Sequence, residues 1–194
     1  MDLSKYRIIL ASKSPRRREL LGRICESFEV VVREVDESLP ACVHPHEGVE
    51  LLALRKGQAV AAEHRDALVI SSDTLVELGG VPLGKPRDEA DAARILRTLS
   101  GRVHNVHTGV AVHYRGRSYS GVASSGVEFK ELTDDEIAWY ISTGEPMDKA
   151  GAYGIQGEGG RFVARYDGDF DTIMGLSVSL TKTLIRKALE AEND

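Results

Sequence analysis

The sequence predicts an α/β fold, because short apolar runs typical of strands alternate with longer segments of helical periodicity. Apolar residues make up 42% of the 194 residues and charged residues 28%, as in a globular protein with a real core. Residues 67–70 form a continuous apolar run, which indicates a central strand buried on both faces. The length allows either one domain or two interlocked lobes.

Local patterns predict the elements in chain order. Short runs of β-branched and aliphatic residues predict strands at 7–11, 28–32, 67–70 with an extension to 78, 106–113, 118–129 and 161–166. Helical spacing and helix-end signals predict helices from 14 onward, at 47–63, at 88–99, from 133 through 140 and at 178–191. Tight turns between strands are predicted at 79–80 and 115–117.

Three helices carry recognisable signals at their ends. Ser14 is a good N-cap and Pro15 a good first helical residue. Thr133 opens a capping box with the glutamate three residues later. The helix at 88–99 has acidic residues in its first turn and Arg94 and Arg97 towards its end, the usual arrangement for the helix dipole.

Charge and composition narrow the classes of function. The net charge of −5 provides no overall basic footprint for a nucleic-acid polymer. No apolar run reaches the ~18–20 residues that cross a bilayer, and the first residues lack a signal-peptide pattern. Cys25 and Cys42 supply neither a disulfide framework nor a metal-ligand cluster. We therefore expect a cytoplasmic protein without membrane or nucleic-acid polymer partners.

The helix that begins at Ser14 has cations where its dipole should repel them. Lys13, Arg16, Arg17 and Arg18 surround a helix N-terminus whose exposed N–H groups are already partly positive. Such a cluster favours an anion at this end, and a helix N-terminus that follows a strand suits phosphate. The alternative is a solvated basic turn.

Two acidic residues follow predicted strands. Asp73 lies at the end of the buried run, where it can act as a general base on water or hold a divalent cation. The alternative for Asp73 is a turn-forming aspartate. Glu37 is the second candidate, and two carboxylates with several cations are the groups needed to hydrolyse a phosphate ester with Mg²⁺.

Two glycine-containing segments are candidate ligand loops. Residues 79–86 nearly match a P-loop, but Pro86 replaces the hydroxyl residue that binds Mg²⁺, so Lys85 is expected at most to reach a phosphate as a point charge. The alternative is a hairpin turn with an exposed lysine. In residues 144–157, glycines permit close approach to a ligand, and Gln156 offers a donor and an acceptor to a base edge. The alternative there is a structural loop.

Taken together, these segments resemble the Maf family of nucleoside triphosphate pyrophosphatases. The blocks that carry the resemblance occur in family order, at 10–17, 72–74, 84–86, 99–102, 108–112 and 144–157. The resemblance implies a mixed α/β fold with a twisted mixed sheet and flanking helices, which form two lobes around a deep cleft as in the inosine triphosphate pyrophosphatases (Maf/Ham1). It also implies one domain over 1–194, a homodimer, and hydrolysis of a nucleoside triphosphate to monophosphate and pyrophosphate with Mg²⁺ or Mn²⁺. Residues 148–157 are similar to the subgroup that acts on dTTP and UTP.

The resemblance also implies roles for single residues. Asp73 matches the position of the family's proton acceptor. The conserved cleft residues of the family are matched here by Ser12, Arg16, Glu37, Lys56 and Lys85. The positions that set the family's specificity are matched by Arg16, Thr74 and Gln156. With the reading of the residues themselves, catalysis is expected from Asp73, Glu37 and Lys85, metal binding from Glu37 and Asp73, and substrate binding from Ser12, Arg16, Arg17, Lys56, Thr74 and Gln156.

Some positions depart from the family pattern. Ser71-Ser72 stand where small apolar residues are commoner, Ser177 replaces a usual proline, and Gly57 replaces a helix former. Gly57 should weaken its helix by ~1 kcal/mol. Two other classes of function stay open: a nucleotide-binding regulator of septum formation without significant turnover, and a nucleic-acid-binding module using residues 13–18. The acidic net charge and the 6% of aromatic residues disfavour the module.

Overall fold

The computed structural model describes residues 2–40 and 43–190, and within them the strands form a seven-stranded mixed sheet. The strands are β1 (Ile8–Leu10), β2 (Glu29–Val30), β3 (Leu68–Leu78), β4 (Val81–Leu83), β5 (Val103–Tyr114), β6 (Arg117–Phe129) and β7 (Val163–Asp167). The α-helices are α1 (Pro15–Gly22), α2 (Pro45–Ala61), α3 (Glu89–Leu99), α4 (Asp134–Ser142), α5 (Phe170–Met174) and α6 (Val178–Glu190). Three short 3₁₀ turns span Glu145–Asp148, Ala150–Ala152 and Glu158–Phe162.

The sheet mixes parallel and antiparallel pairing. Its strand order is β2-β1-β3-β5-β6-β7, with β4 paired to β3. β1 runs parallel to β2 and to β3, where Ile9 is opposite Val69, whereas β4 is antiparallel to β3 and β7 is antiparallel to β6. This arrangement confirms the predicted mixed α/β class.

The chain divides into two compact units, and strands of the sheet contribute to both. Unit 1 comprises the described parts of Met1–Asp73, Thr108–Ala123 and Gly175–Asp194, and unit 2 comprises Thr74–His107 and Ser124–Met174. Each unit is discontinuous in sequence, because β3, β5 and β6 each contribute residues to both. The expected single domain over the whole chain stays a prediction.

One cluster of core residues in unit 1 lies between α2 and the sheet. Ile9 and Val69 on neighbouring strands pack with Val60 of α2, and all three are fully buried. The close approach of α2 to β5 requires a glycine at position 109, since a β-carbon there would lie within 3.0 Å of the backbone oxygen of Val49. A larger residue at this position would push the helix off the sheet.

The core of unit 2 is built on aromatic side chains. Phe129 contacts Tyr153 edge to face with ring centroids 4.7 Å apart, and Tyr140 contacts Phe162 in the same way at 5.0 Å. Edge-to-face contacts of this kind add to the burial of the rings themselves. They attach the glycine-rich segment to β6, and α4 to the 3₁₀ turn that precedes β7.

The predicted caps at Ser14 and Thr133 are confirmed, whereas the helix predicted at 47–63 spans Pro45–Ala61. The Ser14 side chain accepts the backbone N–H of Arg17, and Thr133 and Glu136 form the reciprocal capping box. The 3₁₀ turns and α5 escaped prediction, because elements this short carry too little periodicity to be read. Cys42 and residue 191, where the last predicted helix ends, lie outside the described residues. No helix in the described part of the chain is long and apolar enough to cross a membrane.

Candidate active site

The segment that joins β1 to α1 is held by its own side chains. Ser12 Oγ accepts the backbone N–H of Ser14 at 3.3 Å and the Nη1 of Arg17 at 3.4 Å. α1 has no acidic residue in its first turn. Within the described residues, the side chains of Lys13, Arg16 and Arg18 have no hydrogen-bond or ion-pair partner. The helix N-terminus therefore remains as electropositive as the sequence predicted.

Arg17 connects this segment to the residue before Asp73. Its Nε donates to the carbonyl oxygen of Gly175 at 2.9 Å, and its Nη1 donates to the carbonyl oxygen of Ser72 at 2.7 Å. Burial lowers the pKa of the Arg17 guanidinium, while the charges of Asp73 and Glu37 act in the opposite direction. Its binding to a triphosphate stays a prediction, since these donors already bind protein oxygens.

Lys56 brings the two candidate carboxylates together in unit 1. Its Nζ lies 2.6 Å from Oδ1 of Asp73 and 3.0 Å from Oε1 of Glu37. Asp73 is supplied by β3, Lys56 by α2, and Glu37 by the loop that precedes α2. The side chains of Lys56 and Asp73 are 18% and 13% exposed, whereas that of Glu37 is 61% exposed. One ammonium thus offsets two carboxylates, of which one is sheltered and one is open to solvent.

The loop that carries Glu37 is fixed from both sides. The carboxylate of Asp36 accepts the backbone N–H and the hydroxyl of Ser38, each at 2.8 Å. Arg55 of α2 donates from Nη1 to the carbonyl oxygens of Asp36 at 3.2 Å and Ser38 at 2.7 Å. Sequence reasoning missed Arg55, and the only signal was its place next to Lys56.

The departures from the family pattern have packing partners in unit 1. Ser71 Oγ donates to the carbonyl oxygen of Ala53 in α2 at 2.7 Å, and Ser72 Oγ donates to that of Gly175 at 2.8 Å. Ser177 precedes α6, and its Oγ accepts the backbone N–H of Leu180 at 3.3 Å. Ser71 and Ser72 therefore join β3 next to Asp73 to α2 and to the segment between α5 and α6, whereas Ser177 bonds to the first turn of α6.

Unit 2 carries the three remaining predicted residues. Thr74 follows Asp73 on β3. Lys85 is exposed after β4, and the preceding Gly84 accepts a hydrogen bond from the backbone N–H of Gly151 at 3.1 Å. The near-match to a P-loop forms the β3–β4 hairpin, whose turn is Gly79-Gly80, both with positive φ. The segment therefore forms a hairpin followed by an exposed lysine, and a contact of Lys85 with a phosphate stays a prediction.

Gln156 occupies a tight turn in the glycine-rich segment. The turn is closed by a hydrogen bond from the backbone N–H of Gly157 to the carbonyl oxygen of Gly154 at 3.2 Å. The Gln156 side chain is exposed and has no hydrogen-bond partner within residues 2–40 and 43–190. Both its amide donor and its amide acceptor are available to a ligand.

The carboxylates of Asp73 and Glu37 suit one kind of metal ion. No group of three or more His, Cys, Asp or Glu side chains in the described residues is placed to hold a metal. Mg²⁺ and similar hard cations bind through one or two carboxylates when substrate phosphates and waters complete the shell. Two carboxylates that already share one cation, Lys56, fit that donor set.

Comparison with known proteins identifies the family. A family described as "Maf-like protein" matches residues 7–188. A "dTTP/UTP pyrophosphatase" of Moorella thermoacetica is 49% identical over 181 residues, covering 92% of this chain and 93% of that protein. A protein of the same name from Vibrio cholerae is 48% identical over 188 residues, covering 96% and 100%.

The fold also has a counterpart among solved structures. The Ham1 protein of Staphylococcus aureus superposes with a TM-score of 0.56, covering 96% of this chain and 99% of that one. At 17% identity, this match shows a shared fold alone. The family match and the curated relatives span nearly the whole chain, and the chain therefore belongs to the Maf family.

Proposed function

We propose that this chain is a nucleoside triphosphate pyrophosphatase that hydrolyses dTTP and UTP to the monophosphate and pyrophosphate. The names of the curated relatives, at 43–49% identity over most of the chain, support this activity. The observation that carries the chemistry is the convergence of Asp73 and Glu37 on Lys56. The same unit contains the cationic N-terminus of α1, which suits a phosphate chain.

The two neighbouring arginines at the start of α1 have different proposed roles. Arg16, whose side chain has no protein partner among the described residues, is assigned to the phosphates at the N-terminus of α1. Arg17 is assigned to hold Ser12 and the backbone at Ser72 in place. A guanidinium suits phosphate oxygens because it presents several donors in one plane.

Asp73 is proposed as the general base. It would accept a proton from the water that attacks phosphorus, while the α–β phosphoanhydride bond breaks and pyrophosphate leaves. Glu37 and Asp73 would hold the divalent cation, Mg²⁺ or Mn²⁺, which when bound neutralises charge on the phosphate oxygens. Lys56 keeps the two carboxylates close to each other, and Lys85 is proposed to contribute a further positive charge to the phosphates.

Gln156 is proposed to select the base. Its amide can accept from N3–H and donate to O4, and this edge is common to thymine and uracil. Pairing with the shared edge accounts for the acceptance of both bases. The resemblance further assigns Thr74 to specificity and extends the proposal to a homodimer, which light scattering on the purified chain would test.

A product assay on the purified chain tests the proposal. With Mg²⁺ or Mn²⁺, we expect pyrophosphate and monophosphate from dTTP and UTP, and little product from CTP, GTP, ATP or 7-methyl-GTP. Orthophosphate as the first product would mean cleavage at the γ-phosphate and would refute the mechanism. Binding of nucleotide without turnover would favour the regulator instead.

A variant pair tests the role of Asp73. Asp73→Asn should abolish turnover and retain nucleotide binding, because the amide keeps the shape but cannot accept the proton. Asp66→Asn is the matched control, since Asp66 is 77% exposed and makes one long ion pair with Arg7, at 3.8 Å. Near-normal activity of Asp73→Asn would rule out the general-base role.

A further inference from the structure

In unit 2, one partly buried carboxylate lies beneath the glycine-rich segment. Glu145, in the first 3₁₀ turn after α4, accepts three hydrogen bonds. The donors are the hydroxyl of Tyr140 at 2.8 Å and the backbone N–H groups of Glu158 at 2.9 Å and Gly159 at 3.3 Å. Two of the three donors are therefore backbone groups that come just after Gln156.

The segment before Gln156 is attached to the same carboxylate through Tyr140. The Tyr140 hydroxyl accepts the backbone N–H of Gly154 at 3.2 Å while it donates to Glu145. Burial raises the pKa of the Tyr140 hydroxyl, so it remains a donor. Hydrogen bonds that lead to Glu145 thus hold the turn on both sides of Gln156.

Close packing leaves this turn little freedom. A β-carbon at Gly157 would lie within 3.0 Å of the Glu145 carboxylate, and one at Gly154 would lie 2.8 Å from Cε of Lys149. Lys149 in turn donates to the backbone oxygen of Glu145 at 2.7 Å. The backbone wraps around the carboxylate because these glycines have no side chains.

The carboxylate is charged at neutral pH. Burial alone would raise the pKa of Glu145. The hydrogen bonds from Glu158, Tyr140 and Gly159 and the charge of Lys149 outweigh this effect, so the pKa lies below its usual value. Hydrogen bonds to a charged acceptor are shorter and stronger than those between neutral groups. Glu145 therefore acts as a fixed anionic anchor for the backbone of residues 154–159.

We propose that Glu145 is a positioning residue for base selection, because its carboxylate fixes the turn that presents Gln156. This inference rests on the proposed role of Gln156 in pairing with thymine and uracil. Gln156 itself is exposed and has no hydrogen-bond partner in the described part of the chain, so its orientation depends on its backbone. A rigid turn reduces the ordering needed when the amide pairs with a base.

The test compares two Glu→Gln substitutions thirteen residues apart. Glu145→Gln replaces one acceptor oxygen by an NH₂ group, so at least one of the three donors loses its partner. Glu158→Gln is the matched control, because the Glu158 side chain is 45% exposed and pairs with Arg161 outside the Glu145 network. Both variants are assayed with dTTP, UTP and dCTP at the same metal concentration as the wild type.

For Glu145→Gln we expect KM for dTTP and UTP to rise by about tenfold, and the preference for dTTP over dCTP in kcat/KM to narrow by a similar factor. The kcat at saturating substrate should stay within about twofold, because the groups proposed for the chemistry are untouched. The control should keep the wild-type KM and preference. An unchanged preference in Glu145→Gln, or an equal loss of kcat on every nucleotide, would overturn the inference.

A second variant keeps the test decisive if Glu145→Gln fails to fold. Tyr140→Phe removes one donor to Glu145 and the acceptor of the Gly154 N–H, and leaves the hydrogen bonds from Glu158 and Gly159 in place. We expect it to narrow the base preference by about threefold, and an unchanged preference would count against the anchor. Failure of the wild type to turn over dTTP and UTP refutes the proposed function instead, so the two failures are separable.

Discussion

Replacement of Gly57 by alanine probes how closely α2 must approach the strands behind the carboxylate pair. A β-carbon at Gly57 would lie within 3.0 Å of Ser71 Oγ and 2.5 Å from Nε2 of His113. Neither side chain can move away freely. Ser71 Oγ donates to the carbonyl oxygen of Ala53, and His113 Nδ1 is hydrogen-bonded to Ser118 Oγ at 2.8 Å.

Two opposing effects decide the change in stability of Gly57→Ala. Alanine in a helix interior is favoured over glycine by ~1 kcal/mol. Ordinary contact begins at 3.4 Å, so α2 or its two neighbours must move by about 1 Å. Overpacking a core costs ~1–3 kcal/mol of stability. Because the new β-carbon overlaps two side chains that are fixed by hydrogen bonds, Ser71 and His113, we expect a cost near the upper end of this range. We therefore expect a net loss of about 2 kcal/mol in the free energy of unfolding.

The same displacement should reach the proposed chemistry. Lys56 immediately precedes Gly57, and its Nζ lies 2.6 Å from Asp73 Oδ1. Misplacement of a catalytic group by ~1 Å can reduce the rate by about 100-fold. We expect kcat of Gly57→Ala to fall by about 10- to 100-fold, because Asp73 loses the partner that orients it.

Urea unfolding followed by circular dichroism measures the stability, and the pyrophosphate assay measures kcat. Gly22→Ala is the matched control, because Gly22 lies in α1 with no atom within 4 Å of its β-carbon position. It should be neutral or stabilising by up to ~1 kcal/mol, with full activity. A Gly57→Ala protein as stable and active as the control would refute the packing argument.

Two further predictions concern the hydrogen bonds of Arg55 and the burial of His104. Arg55→Ala should raise the metal concentration for half-maximal activity by about tenfold, because the Glu37 loop loses two hydrogen bonds. The control is Arg33→Ala, which removes an exposed ion pair with Glu63 and a hydrogen bond to the backbone oxygen of Val32, and equal metal dependence of the two variants would contradict the role of Arg55. Burial lowers the pKa of His104 from 6.5 in the unfolded chain to about 4 in the folded protein. Between pH 4 and 6.5 the unfolded chain therefore binds more protons than the folded protein does. The free energy of unfolding should therefore keep its full value above pH 6.5 and fall by about 3 kcal/mol as the pH is lowered towards 4. Urea unfolding of His104→Gln should show a smaller fall over the same pH range.

Features that depend on a few neighbouring residues were predictable from the sequence. The Ser14 cap, the Thr133 capping box and the Gly79-Gly80 turn each depend on groups at most three residues apart. The position of Asp73 at the end of a buried run was equally readable, since a continuous apolar segment before an acid is visible along the chain. The resemblance supplied candidate roles for Lys56, Gln156 and the other site residues.

The contacts that organise the site were not predictable in this way. Binding of a phosphate by Arg17 stays a prediction, but no sequence pattern indicated that its donors bind Gly175, 158 residues away, and Ser72, 55 residues away. Gly57 looked like a weak point in its helix, but the space of its missing side chain is taken by Ser71 and His113. No local pattern indicates which distant atoms occupy a given space.

The sequence by itself determined the α/β class, the caps at Ser14 and Thr133, the tight turns and the set of charged residues from which a phosphate site could be built. Only the tertiary structure decided that Asp73 and Glu37 share Lys56, that Arg55 fixes the Glu37 loop and that Glu145 anchors the turn at Gln156. Caps and turns arise from interactions within a few residues, whose geometry the backbone restricts strongly. The site contacts join residues brought together only by strand order and helix packing, which no short stretch of sequence specifies.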